Sequence, residues 1–210
     1  MPNNLELHRP CLVAAWPGLG HVAINAGYYL AAKLGTHMVA EVAPQGLFDV
    51  QQVEVKDGLI QSSQWPRSRF FLWPDPAGKQ DLLVFIGEDQ PPVGKYAFCH
   101  KLIEFVQALG VERVFTFAAL ATDMRPDQDS RVFAAAVDKG SLRQLRSQNL
   151  RIIENGYIGG LNGVLLGIAA ESGLRGACLM GEIPAILSQL PFPKASLAVL
   201  EQFAAMVDLQ

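Results

Sequence analysis

The chain has 210 residues, half of them apolar, and a formal net charge of −3. That length suffices for one domain with a full core, and the mean hydropathy of +0.20 leaves apolar surface to spare for a subunit contact. The acidic balance without Lys/Arg runs argues against nucleic acid as a partner, and no apolar run nears the roughly 20 residues that span a bilayer. The opening MPNNLELHRP lacks the basic start and apolar stretch of a signal peptide, so a cytoplasmic, membrane-free protein is expected.

The first apolar run, CLVAAW over 11–16, predicts a strand. It leads through Pro17 into Gly18-Leu19-Gly20-His21-Val22-Ala23 and then a helical run of small residues. This G-x-G-x-x-A spacing invites a dinucleotide reading, with Glu41, 21 residues beyond Gly20, as the ribose-binding acid. Pro17 stands against it, and so does the next stretch. After the predicted strand HMVAEVA (37–43), RFFLW (69–73) and LLVFI (82–86) flank the turn-rich PDPAGKQD. They read as a β-hairpin where a third parallel strand would be due. The glycines are therefore read as a tight strand-to-helix turn, and neither NAD nor NADP is expected to bind.

Past that hairpin, Gly87 to Tyr96 ends in the Gly-Lys of a phosphate loop. Six residues separate its glycines, Pro91 and Pro92 lack N–H groups, and Tyr96 replaces the magnesium-holding hydroxyl. It reads as a loop entering a helix. Phe98, Leu102, Val106 and Leu109 form that helix's apolar stripe, and Gly110 stops it. Strands follow at RVFTFAA (113–119) and RVFAAAV (131–137). Leu161, Val164, Leu165, Ile168 and Ala169 mark a further helix ending near Gly173. GACLM (176–180) is the last predicted strand, and Leu197, Leu200, Phe203, Ala204 and Val207 mark the terminal helix. Strands apolar throughout, alternating with helices, predict an α/β fold on a mixed, mainly parallel sheet, with residues 1–210 as a single domain.

Chemistry is sparse. The three cysteines, Cys11, Cys99 and Cys178, are widely spaced and form no CxxC pair, which suits buried free thiols in a reducing compartment. No G-x-S-x-G, H-E-x-x-H or metal-spaced cluster occurs, so no metal, cofactor or catalytic set is expected. Polar residues do gather where strands are predicted to end: His21, Glu88, Asp89, Asp123, Arg125, Asn162 and Glu182. Pockets in open α/β sheets form there. Gly18, Gly20, His21, Glu88, Asp123, Arg125, Asn162 and Glu182 therefore make one candidate ligand-binding cleft. For any single member, loop capping or salt bridging is the plainer role.

Four blocks in order, WPGLGHVAINAGYYLAAKLG, LLVFIGEDQPP, NGYIGGLNGVLLGIAAESGLRGACLMGEIP and PFPKASLAVLEQF, resemble the proteasome-assembly-chaperone family. The resemblance implies a three-layer α/β/α sandwich like that of nucleoside phosphorylases. It also implies a non-enzymatic protein-binding or assembly factor working as a homo-oligomer. Gly163, Gly167 and Ala170 offer small-residue helix faces for such a contact. The alternative is a small-molecule enzyme or ligand binder using the polar cleft. Two departures stand out. Asp123-Met124-Arg125-Pro126 retains only Arg125 and Pro126 of the family's His-x-Arg-Pro segment. Met206-Val207-Asp208-Leu209-Gln210 lacks the penultimate tyrosine with which archaeal relatives dock on proteasome rings, so any partner is expected to meet the folded body.

Overall fold

Strand β1 (Cys11–Ala15) is buried along its whole length, and its side chains divide by parity. Cys11, Val13 and Ala15 enter one apolar cluster, while Leu12, Ala14 and the adjoining Trp16 enter another. This is the period-two geometry of a strand covered on both faces. The computed structural model describes residues 7–49, 53–62 and 64–209; Gln210 of the terminal stretch lies outside them.

The elements that follow are α1 (Val22–Leu34), β2 (His37–Val42), β3 (Glu54–Lys56), β4 (Leu59–Gln61), β5 (Ser68–Trp73), β6 (Leu82–Gly87) and α2 (Lys95–Ala108). After them come β7 (Arg113–Thr122), β8 (Val132–Ala136), α3 (Lys139–Ser147), β9 (Arg151–Ile152), α4 (Gly160–Glu171), β10 (Arg175–Pro184) and α5 (Pro193–Val207). Eight strands form one sheet in the order β2-β5-β6-β1-β7-β10-β8-β9. The centre, β6-β1-β7-β10, is parallel, whereas β5 and β8 run against it. Helices α1, α3 and α5 pack on one face through Leu30, Leu145 and Phe203. On the other, α2 and α4 pack through Phe98, Ile103, Leu165 and Ala169. The result is a mixed, mainly parallel sheet between two helical layers, as the sequence predicts.

The expected hairpin is β5–β6. Asp75 accepts the backbone N–H groups of Ala77, Lys79 and Gln80 and shapes the turn, and Asp81 accepts those of Asp75 and His8. Paired carboxylate acceptors replace the backbone bonds that a wide turn leaves unmade.

Some features depart from the sequence reading. The predicted strand over 37–43 is real but lies at the sheet edge and is half-exposed, because only β5 covers it. Helix α3, strand β9 and the separate two-stranded ribbon β3–β4 carry no apolar period long enough to announce them. Strand β10 runs on to Pro184, so Glu182 is a strand residue and not part of a terminal loop. Gly163 is spent inside the chain, since a Cβ there would stand 2.0 Å from the Ile158 carbonyl oxygen; Gly167 has open space around it. Burial pushes the thiols of Cys11, Cys99 and Cys178 up to about 12, and all three are free. Among the described residues, no helix is long and apolar enough to cross a membrane.

Candidate functional site

The turn after β1 is fastened on two sides. On one, the Gly20 N–H donates to the Ser188 carbonyl at 2.7 Å and the Phe192 N–H donates to the Gly20 carbonyl at 2.9 Å. On the other, Gln90 Nε2 donates to the Pro17 carbonyl at 2.8 Å while its Oε1 accepts the Leu161 N–H at 3.0 Å. One amide thereby joins the glycine turn to the first turn of α4. Thr116 of β7 donates to the Asn162 carbonyl at 2.8 Å and seats that helix on the sheet.

The turn and the start of α4 both use left-handed backbone. Gly20 has φ +60° and Gly160 +67°, and His21 adopts +51° without glycine's freedom. A Cβ on Gly20 would stand 3.1 Å from Ile183, and one on Gly160 would stand 2.9 Å from Gln90 Oε1. Both glycines therefore serve backbone conformations that a larger residue would strain.

Between the turn and α4 lies a cleft of about 540 Å³, at the carboxyl ends of β1, β7 and β10. Its walls are the β7 stretch Ala118–Ala121, Met180 of β10, and Ile153 and Ile158. Its polar side includes Gly18 and His21 of the turn, Gln90, Ser188 and Gln189, together with Gly159 at the N-cap of α4 and Gly160 and Asn162 in its first turn. Asn162 is 5% exposed, and its Oδ1 is buried with no hydrogen-bond partner among the described residues.

The expected single cleft is thus divided. Gly18, His21 and Asn162 line it, and Gly20 lies buried beneath its rim. Asp123, Arg125 and Glu182 line a separate shallow depression of about 400 Å³. There Arg125 is exposed and pairs with Asp127, holding that carboxyl below its usual range. Glu182 is fully buried and accepts from Arg131 and from the Thr122 hydroxyl. The Arg131 guanidinium holds the Glu182 carboxyl below the ordinary carboxylate range against the opposing effect of burial, with Thr122 adding to it. Glu88 is elsewhere again: it accepts from Arg69 and from the Arg67 N–H, closing the β5–β6 ladder. Asp89 accepts from its neighbour's backbone, Gln90 N–H.

The dinucleotide reading loses its acid. Strands β5 and β6 stand between β1 and β2, and Glu41 pairs with Arg67 at 3.2 Å on the edge. Among the described residues, no group of His, Cys, Asp and Glu is placed to hold a metal ion. Sequence reading missed Gln90 and Arg131. Gln90 stood within the Asp-Gln-Pro-Pro block, where its neighbours drew attention as acids. Nothing local marks Arg131 as the partner of a residue 51 positions away.

Similar proteins share this architecture. The structure of PbaB from Pyrococcus furiosus, described as an archaeal proteasome activator, matches with a TM-score of 0.84 and 25% identity, covering 99% of this chain and 87% of that one. A PAC2 family protein from Streptomyces avermitilis matches with a TM-score of 0.81 and 25% identity over 96% of this chain and 87% of that one. Among curated relatives, uncharacterized protein MJ1210 of Methanocaldococcus jannaschii is 25% identical over 207 residues, 97% of this chain and 76% of its own. The PAC2 family model matches residues 12–210, nearly the whole length, and the chain belongs to the PAC2 family.

Proposed function

We propose that this PAC2 family member is a non-enzymatic, assembly-chaperone-like protein that acts by binding protein, as a homo-oligomer. The observation that carries the reading is the β3–β4 ribbon. Val55, Leu59 and Ile60 are 66%, 68% and 75% exposed, on two short strands that, among the described residues, pair only with each other. A lone two-stranded ribbon is marginal in water, and clustered exposed apolar side chains mark contact surfaces. The likeness to PbaB, an archaeal proteasome activator, supports protein as the partner class.

The test pairs light scattering with affinity capture from a native lysate, using the wild-type chain and the double variant Val55→Asp/Ile60→Asp. The wild type is expected to be oligomeric at micromolar concentration and to retain a defined partner set, with the variant losing one or both. A monomeric wild type that retains no partner would overturn the reading. So would a variant that keeps both properties.

A further inference from the structure

The opposite end of the sheet concentrates positive charge that a net charge of −3 conceals. Strands β7 and β10 both begin with arginine, and their parallel register sets Arg113 directly beside Arg175. Neighbouring strands lie about 4.8 Å apart, so the two side chains leave the same face of the sheet together. On the other side of β7, Arg113 pairs with Cys11 of β1, and Arg9 stands two residues before that cysteine. All three arginines line a cavity of about 350 Å³ at the amino ends of β1, β7 and β10.

The protein answers these charges only in part. Among the described residues, Glu112 is the one carboxylate lining the cavity, and it pairs with Arg175 at 2.8 Å. Arg113 donates to the neutral Gln144 Oε1 at 3.1 Å and lies over the Phe115 ring, 4.9 Å from its centroid. Asp138 is close enough to feel its charge, but that carboxylate is already spent. It accepts from the Gly140, Ser141 and Gly176 N–H groups and from the Ser141 hydroxyl. Among the described residues, neither Arg113 nor Arg9 has a carboxylate at ion-pair distance. Burial pushes the half-buried Arg113 guanidinium below its ordinary range; Arg175 and Arg9 add to this, while Cys11 and Asp138 oppose it. A guanidinium offers five donors in a fixed fork, and here a single neutral acceptor meets them.

The lining narrows the ligand class. Pro10 and Gly140 are its least polar members, so no apolar wall is there to hold a hydrocarbon body. Several guanidinium forks around one recess suit an oxyanion with many acceptor oxygens and more than one charge. The volume falls within the range of about 300–1,000 Å³ usual for small-molecule sites. We propose that the recess binds a compact polyanion of the phosphate or pyrophosphate type, with Arg113 at its centre and Arg9 and Arg175 on either side. Glu112 then competes with the ligand for Arg175. The recess shares no residue with the ribbon or with the cleft at the other end of the sheet, and it does not rest on the protein-binding reading.

Titration calorimetry at fixed ionic strength tests the assignment, with pyrophosphate, inorganic phosphate and acetate as probes. Both phosphates are expected to bind the wild-type chain saturably, and acetate about tenfold more weakly than either or less well still. Arg113→Gln should weaken pyrophosphate about tenfold or more. Arg175→Gln should weaken it as well, and with a side chain 54% exposed this variant remains folded and decides the matter if Arg113→Gln does not fold. Arg67→Gln removes the same charge from the β2 edge of the sheet, where Arg67 pairs with Glu41. It should leave binding unchanged, which separates a site from the field of the whole molecule. Glu112→Gln removes the competing carboxylate and should tighten pyrophosphate severalfold. The proposal is overturned by no saturable binding, by acetate equal to inorganic phosphate, or by undiminished binding in a folded Arg113→Gln or Arg175→Gln chain. Losses of equal size in Arg113→Gln and Arg67→Gln, or a Glu112→Gln chain that binds no tighter, would overturn it too.

Discussion

Two polar groupings sit at the same end of the sheet, and they are satisfied to opposite degrees. Around Glu182, a buried carboxylate is matched by Arg131 and Thr122. Around Asn162, a buried side-chain carbonyl oxygen has no donor among the described residues, beside a helix end without a side-chain cap. Buried polar groups are kept in folds when their bonds are made. The first grouping is therefore accounted for by stability, and the second is not. From sequence the two were indistinguishable, since both appeared as polar residues near strand ends.

Breaking the satisfied group should cost the most. Arg131→Met leaves the Glu182 carboxylate buried with only Thr122, so it should be the most destabilising of these variants at neutral pH. The deficit should shrink on acidification, as the stranded carboxyl takes up a proton. Glu182→Ala removes the charge itself and should cost about 2–3 kcal/mol at neutral pH. In the wild type the folded carboxyl lies below its unfolded value. Its contribution is therefore complete above about pH 4.3 and fades as pH falls toward the folded value. Urea unfolding at several pH values checks both variants. A gap between wild type and Glu182→Ala that widens in acid would show the pairing misread.

Next in size is Gly20→Val. Left-handed backbone with Ile183 close by predicts a loss of about 1–3 kcal/mol, read by thermal or urea unfolding. Gln90→Ala comes third, at about 1–2 kcal/mol. Because it frees the glycine turn from α4, amide exchange should quicken at Leu161 before it does in β7. At the unsatisfied group the expected effect nearly vanishes. Asn162→Leu has no protein hydrogen bond to lose and an open cleft to receive its methyl groups, so stability should change by less than about 1 kcal/mol in either direction. A loss matching that of Glu182→Ala would erase the contrast between the two groupings.

Much of the fold could be read in advance because its signals are local. CLVAAW and LLVFI are apolar at every position, as strands with helices on both faces must be, and both lie in the parallel centre. The Phe98–Leu109 and Leu161–Ala169 stripes became the buried faces of α2 and α4. Proline, aspartate and glycine between 74 and 81 announced the β5–β6 turn. The ribbon and β9 stayed hidden because three or two residues per strand are too few to show a period. Within the candidate site, Gly18, His21 and Asn162 were legible because each borders a glycine turn leading into a helix. Gln90 was not, since its role lies in the two backbones it joins, Pro17 and Leu161, 73 and 71 positions away.

The amino-acid sequence by itself determined the alternation of strands and helices, the two-faced burial of the central strands, and the glycines that allow the turns. Each of these follows from side-chain periodicity and backbone freedom along a few neighbouring residues. Strand order and register were left to the tertiary structure. Only that order carried β2 to the far edge and Glu41 away from the glycine turn. Only the antiparallel register of β8 on β10 set Arg131 beside Glu182, removing that acid from the cleft. Which side chains meet across a sheet is decided by the long-range burial of the whole chain, and no short stretch of residues encodes it.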